Sequence, residues 1–296
     1  MPWFSVNAVA LASLLLLASC GSSETESKQS SEARRDSLVG AWSTAPYGPY
    51  PLGPLTRETP VGSTPGSVNT ARFENNQAKN QSFRMIINPT ISGSRARIRL
   101  SNLKGDRPIR FESVSLARVL PQSPILNGAQ VNLTFAGKPF VIAQPGEEVI
   151  SDAVAFELNA QEDLAVSFFI PGESGPMTWH AVSFAPQYIS APNSGDVTGD
   201  TTGRTFLDLS LGWFFLSGLD VENSKSSGAI VAIGDSITDG AYQVLNQRWT
   251  DWLAKRLNES GKHIGILNQG INSNTVTEPP TEETSRASPE VLRFQR

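Results

Sequence analysis

Two kinds of apolar pattern divide this chain. Between Gln81 and Asp220, apolar and polar residues alternate in short runs. In Arg95–Leu100, Arg95, Arg97 and Arg99 alternate with Ala96, Ile98 and Leu100. In Leu164–Ile170, Leu164, Val166, Phe168 and Ile170 fall on one side. A period of two puts one face of a strand in a core and the other in water. Ser82–Ile87 and Val131–Phe135 read as strands of the same kind. Asn127-Gly128, Ala136-Gly137-Lys138-Pro139, Pro145-Gly146 and Pro171-Gly172 are turn sequences between the runs. Short strands with little helical pattern between them predict an antiparallel β-sandwich over residues 38–222. The three arginines are expected to be its solvated face rather than a site for an acidic ligand.

The grammar changes after the polar stretch Val221–Gly228. Ala229–Ile233 is continuously apolar, as expected of a strand buried on both faces. Gln243–Leu257 predicts an amphipathic helix with Trp249, Trp252, Leu253 and Leu257 on one side, stopped at Gly261. Ile264–Leu267 is a second short strand. Strand, helix, strand predicts a βαβ unit with two parallel strands. Residues 228–296 therefore read as part of an α/β domain. Two strands and one helix are too few to close such a domain, which normally needs about five strands. The predicted fold is a β-sandwich followed by an incomplete α/β domain.

Composition changes this picture little. The chain has 296 residues, 39% of them hydrophobic and 18% charged, which suits a globular protein of two domains. A formal net charge of −4 gives no reason to expect a nucleic-acid partner. One cysteine excludes an intramolecular disulfide. Its position is more telling. Val6–Ala18 is an apolar run too short to span a bilayer. It runs into Leu17-Ala18-Ser19-Cys20, which resembles the bacterial lipobox. That resemblance implies a signal peptide over residues 1–20, a lipid-modified Cys20, and an exported lipoprotein anchored to a membrane of the bacterial cell envelope. Residues 21–37 are then a flexible polar tether. Pro46–Ser67, rich in Pro and Gly, is expected to be an irregular surface segment.

Chemistry concentrates where the predicted parallel strands end. Ligands of open α/β sheets sit at the carboxyl ends of the strands. Gly234-Asp235-Ser236 follows the first strand, and Asn268-Gln269-Gly270 closes the second. Ser236 would stand at a helix N-terminus, where free N–H groups and the helix dipole favour a developing anion. Gly270 has no side chain, so its N–H could approach a substrate oxygen. Ser236 is the candidate nucleophile, and Ser236 and Gly270 N–H groups the candidate oxyanion hole. Each such donor is typically worth about 3 kcal/mol of barrier. The competing reading is that Ser236 merely caps the helix. Asp235 and Asp239 read as cap or turn residues.

Ile233-Gly234-Asp235-Ser236-Ile237-Thr238-Asp239-Gly240 resembles the first signature block of the GDSL/SGNH hydrolase superfamily. Leu267-Asn268-Gln269-Gly270-Ile271-Asn272-Ser273-Asn274 resembles its second. Arg248-Trp249-x-Asp251-x-Leu253-Ala254-x-Arg256-Leu257 is similar to a helix of one bacterial subgroup that carries a β-sandwich before its catalytic domain. Ser94–Asn102, Gly172–His180 and Phe215–Asp220 are also similar to that subgroup. The resemblance implies a flavodoxin-like α/β/α catalytic domain and a serine esterase needing no metal or organic cofactor. It implies an ester substrate, acyl groups on carbohydrate or polysaccharide included. It makes Ser236 the nucleophile and Gly270 an oxyanion donor.

The later superfamily blocks, Gly-x-Asn-Asp and Asp-x-x-His, do not occur in this sequence after Asn274. Serine needs an adjacent base, and the chain has only two histidines. His263 precedes the second strand, one strand length or roughly 15–20 Å from Ser236. His180, beside Trp179 in the sandwich, reads as a structural histidine. The expectation is a chain truncated after the second block and inactive for that reason. The alternative is a non-catalytic surface lipoprotein whose sandwich binds glycan or another partner.

Overall fold

A computed structural model of the chain describes residues 38–51, 73–181, 185–240, 245–272 and 274. The predicted signal peptide, Cys20 and tether, most of Pro46–Ser67 and the segment after Asn274 lie outside the described residues. The fold is β-rich, mostly antiparallel sheet with few helices. In chain order its strands are β1 (Leu38–Ser43), β2 (Lys79–Ile87), β3 (Gly93–Ser101), β4 (Ile109–Arg118), β5 (Val131–Asn132), β6 (Phe140–Ala143), β7 (Glu148–Ile150) and β8 (Val154–Leu158). Then follow β9 (Leu164–Glu173), β10 (Trp179–His180), β11 (Gln187–Ile189), β12 (Asp208–Ser210), β13 (Trp213–Phe214), β14 (Leu216–Glu222), β15 (Ser226–Gly234) and β16 (His263–Gly270). Helices α1 (Ser236–Asp239) and α2 (Trp249–Glu259) lie between the last two strands.

A five-stranded sheet runs β1-β14-β3, with β7 and β8 both pairing β3. A seven-stranded sheet runs β12-β11-β2-β9-β4, with β5 and β6 on β4. All these pairings are antiparallel. One apolar cluster draws on both sheets: Ile98, Leu100, Leu219 and Val221 from the smaller, Phe83, Phe111, Val166 and Phe168 from the larger. At its centre Phe83 stacks on Phe168 at 5.2 Å, and Phe215 meets both of them and Phe111 edge-on. The alternation in Arg95–Leu100 is realised: Ala96, Ile98 and Leu100 are buried. The arginines opposite are paired across the sheet as well as solvated. Arg97 Nε and Arg99 Nη2 both bind Asp220, at 2.9 and 2.8 Å, and Arg95 Nη1 reaches Glu222 at 3.2 Å. β9 departs from its one-sided prediction, because Leu164–Ile170 is buried on both faces. A second cluster of Ile86, Ala117, Val119, Leu126, Ala165, Tyr188 and Phe206 covers its outer side.

β15 and β16 pair in parallel, from Ser226 opposite His263 to Gly234 opposite Gly270. Two expectations fail here. The apolar run of β15 is not buried on both faces: Ile230 and Val231 are 44% and 52% exposed. Among the described residues β15 pairs with β16 alone, so one edge is open. The described helix runs from Trp249, and only half of its predicted apolar face turns inward, since Leu253 and Leu257 are half-buried. Its buried residues are Thr250, Asp251 and Ala254, while Trp249 and Trp252 are 45% and 49% exposed. The cause is local. The Arg248 N–H and guanidinium both grip Asp251, at 2.9–3.0 Å, which turns that carboxylate inward. Thr250 Oγ1 accepts from the buried amide of Asn268 on β16 at 3.0 Å.

The β15–β16 pair packs directly on the antiparallel part. A Cβ on Gly265 would lie 2.0 Å from the Gly40 carbonyl, so that position requires glycine, and one on Gly40 would press on the Leu267 side chain at 2.8 Å. Thr90 accepts from Ile266 N–H on its hydroxyl at 2.9 Å and from Asn258 Nδ2 on its carbonyl at 2.8 Å. Gln269 Nε2 donates to Ser43 Oγ at 2.6 Å. The described residues from Leu38 onward accordingly form one compact unit.

Candidate active site

Ser236 stands where β15 hands over to α1. Asp235 caps that helix, its Oδ1 accepting from Ile237 N–H at 2.9 Å, so the capping role falls to the aspartate. Ser236 is half-buried and the next residue, Ile237, is 72% exposed, so the turn opens toward solvent.

Gly270 lies beside this turn, opposite Gly234 in the parallel register. A Cβ on Gly270 would come within 2.2 Å of the Asp239 nitrogen, so the close packing of α1 on β16 depends on this glycine. Its N–H donates to Asn268 Oδ1 at 2.9 Å. Asn268 is buried, and its Nδ2 donates to the Thr238 carbonyl at 2.6 Å as well as to Thr250. One asparagine thus ties the end of β16 to both helices.

The contact that sequence reasoning missed lies on the inner side of α1. Asp239 and His180 are buried, with side chains 4% and 3% exposed, and Asp239 Oδ1 is 2.9 Å from His180 Nε2. Asp239 Oδ2 accepts from Asn272 N–H at 3.2 Å. His180 Nδ1 lies 2.9 Å from the carbonyl oxygen of Ala45. The Ala45 carbonyl can only accept, so Nδ1 donates to it, while Nε2 is hydrogen-bonded to the Asp239 carboxyl group. His180 is therefore a buried histidine engaged on both ring nitrogens, one of them by a residue of α1. It sits 59 positions from Asp239 in the chain, and no local pattern signals the pairing. His263 lies opposite Ser226 at the other end of the strand pair, away from Ser236.

Among the described residues, no group of three or more His, Cys, Asp or Glu is placed to hold a metal ion, and no helix is long and apolar enough to cross a membrane.

No protein-family model matches the chain, and no curated protein matches it. Among solved structures it is similar to a carbohydrate esterase family 2 enzyme with a carbohydrate binding domain from Corynascus thermopiles (Myceliophthora fergusii), at 12% identity and a TM-score of 0.21, over 74% of this chain and 54% of that one. It is also similar to an active site mutant of a family two carbohydrate esterase from Clostridium thermocellum in complex with celluohexase, at 10% identity and a TM-score of 0.16, over 68% of this chain and 47% of that one. The chain thus spans about half the length of each.

Proposed function

We propose that this chain is the N-terminal part of an SGNH/GDSL-type serine esterase, a β-sandwich followed by an incomplete flavodoxin-like α/β domain, with Ser236 as nucleophile. One observation carries the reading: a Gly-Asp-Ser turn leads from a strand into a helix, beside the Asn268-x-Gly270 end of the parallel neighbour. In the proposed reaction Ser236 Oγ attacks the ester carbonyl. The alcohol leaves, and water then hydrolyses the acyl-enzyme. The developing oxyanion would be met by backbone N–H groups at the turn. Gly270 N–H can contribute only by sharing or leaving its bond to Asn268 Oδ1. The preferred substrate is acylated carbohydrate, by family resemblance. The protein would be exported and held to the cell envelope by lipid on Cys20.

The attack needs a base, and among the described residues neither histidine is available to Ser236. His180 is engaged on both ring nitrogens and His263 lies at the wrong end of the strands. The 296-residue polypeptide is expected to leave p-nitrophenyl acetate at its background rate. A polypeptide extended by the reading frame downstream of codon 296, where that supplies Asp-x-x-His, is expected to hydrolyse it, and Ser236→Ala to abolish the turnover. Turnover by the 296-residue chain that Ser236→Ala removes would overturn the inactivity. Turnover by the extended chain that survives Ser236→Ala would overturn the assignment of the nucleophile.

A further inference from the structure

A groove of about 580 Å³ lies between α2 and the loops that follow β4 and precede β9. Its size is that of a small-molecule cleft, which typically measures roughly 300–1,000 Å³. Its wall chemistry is not that of an apolar pocket. Trp252 is its large apolar surface, half exposed. Around it stand the side chains of Gln122, Asn127 and Gln247, exposed and without a hydrogen bond among the described residues. Each amide offers two donors and a carbonyl acceptor in one plane.

Three carboxylates also line it, and each is already held: Glu162 by Arg118, Asp163 by Asn88 and Asn246, Asp251 by Arg248. Arg118 and Arg248 neutralise Glu162 and Asp251, and Lys255 balances Asp163, so the groove offers no net charge to attract a phosphate or an acidic polymer. The Lys255 ammonium lies over one face of the Trp252 ring, 5.1 Å from its centroid, so a stacking ligand uses the other face.

We infer that this groove is a binding site for an uncharged glycan, separate from Ser236, which does not line it. A pyranose has one face of C–H groups and a rim of hydroxyls that both donate and accept. The C–H face lies on the indole of Trp252, and the hydroxyls meet the free amides of Gln122, Asn127 and Gln247. A hydrocarbon ligand would leave those amides unpaired, at a cost for every polar group desolvated. An anionic ligand would find no net countercharge, because the lining's own charges are already balanced. The site does not depend on the esterase reading.

The test is calorimetry of the 296-residue chain with cellohexaose, xylohexaose and mannohexaose, and with an oligogalacturonate as the anionic control. Binding to at least one neutral hexasaccharide and none to the oligogalacturonate is expected. Trp252→Ala should weaken binding at least tenfold. Trp252 is half exposed, so the variant should keep its circular dichroism and melting point. Gln247→Ala gives an independent check and should weaken binding severalfold. Ser236→Ala should bind like the parent chain. A loss of binding on Ser236→Ala would place the glycan at the turn and overturn the separate site. No binding to any neutral hexasaccharide, or unchanged binding by Trp252→Ala, would overturn the inference outright.

Discussion

Replacing Asp239 by alanine should damage this protein far more than replacing any of its surface carboxylates. The side chains of Asp239 and His180 are almost completely buried and hydrogen-bonded at 2.9 Å. The substitution removes the carboxylate that holds both His180 Nε2 and Asn272 N–H. Removing one partner of a buried pair costs about 3–5 kcal/mol, because the other is left uncompensated. A domain of this size loses roughly 2–4 °C of melting temperature per kcal/mol, so Asp239→Ala should melt on the order of 10 °C lower. Asp106→Ala is the control. Its pair with Arg107 is about half exposed on both sides, and exposed pairs contribute about 0–1 kcal/mol. Thermal melts followed by circular dichroism on Asp239→Ala, His180→Ala and the double variant close a cycle. A coupling of about 2 kcal/mol or more is expected. A cost for Asp239→Ala within about 1 kcal/mol of the Asp106→Ala control, or single-variant costs that simply add, would refute the buried pair.

Arg84 is fully buried and donates to the carbonyls of Pro124, Thr198 and Asp200 and to Ser167 Oγ, with burial pushing its guanidinium down to about 10. Arg84→Met should cost several kcal/mol in urea unfolding, since each stranded polar group costs about 1–3 kcal/mol. Gly270→Ala should lower the melting temperature and loosen α1, because its Cβ meets backbone 2.2 Å away; hydrogen exchange at Thr238 and Asp239 reads this. Asp152 is held below the usual carboxylate range by the Thr134 hydroxyl and the Gly137 amide. Burial raises Asp200, but the hydroxyls and amides of Thr202 and Thr205 outweigh it and leave it well below that range. Both groups are depressed in the folded state, so their stabilisation is present above about pH 4 and fades as pH falls below it. Urea midpoints measured from pH 6 to pH 3 should fall, and Asp152→Asn should flatten that fall.

What could be read in advance was what local spacing encodes. The alternation of Ala96, Ile98 and Leu100 with arginines predicted a half-buried strand, and the arginines' own partners, Asp220 and Glu222, came from a strand more than a hundred residues away. β9 looked one-sided because its outer cover comes from distant parts of the chain, Tyr188 from β11 and Leu126 and Phe206 from loops. The parallel pairing of β15 with β16 was legible from the length of the crossover. The facing of α2 was not. Apolar periodicity favours the two tryptophans, whereas the fold buries Thr250, Asp251 and Ala254, small or ion-paired residues that let the helix approach β16 closely. Around Ser236, the Gly-Asp-Ser turn and Asn268-x-Gly270 are local motifs and visible as such. His180 of β10 and Asp239 of α1 are brought together only by tertiary packing.

The contact of Gly40 with Gly265 has a consequence for where the serine turn sits. Two backbones meet there with no side chain between them, and Thr90, Ser43 and His180 fasten the same seam. The polar stretch between β14 and β15, flexible by composition, is a short turn closed by Ser226 N–H on the Asn223 carbonyl. The backbone contact and these side-chain bonds together seat the serine turn's strand pair directly against the antiparallel sheets.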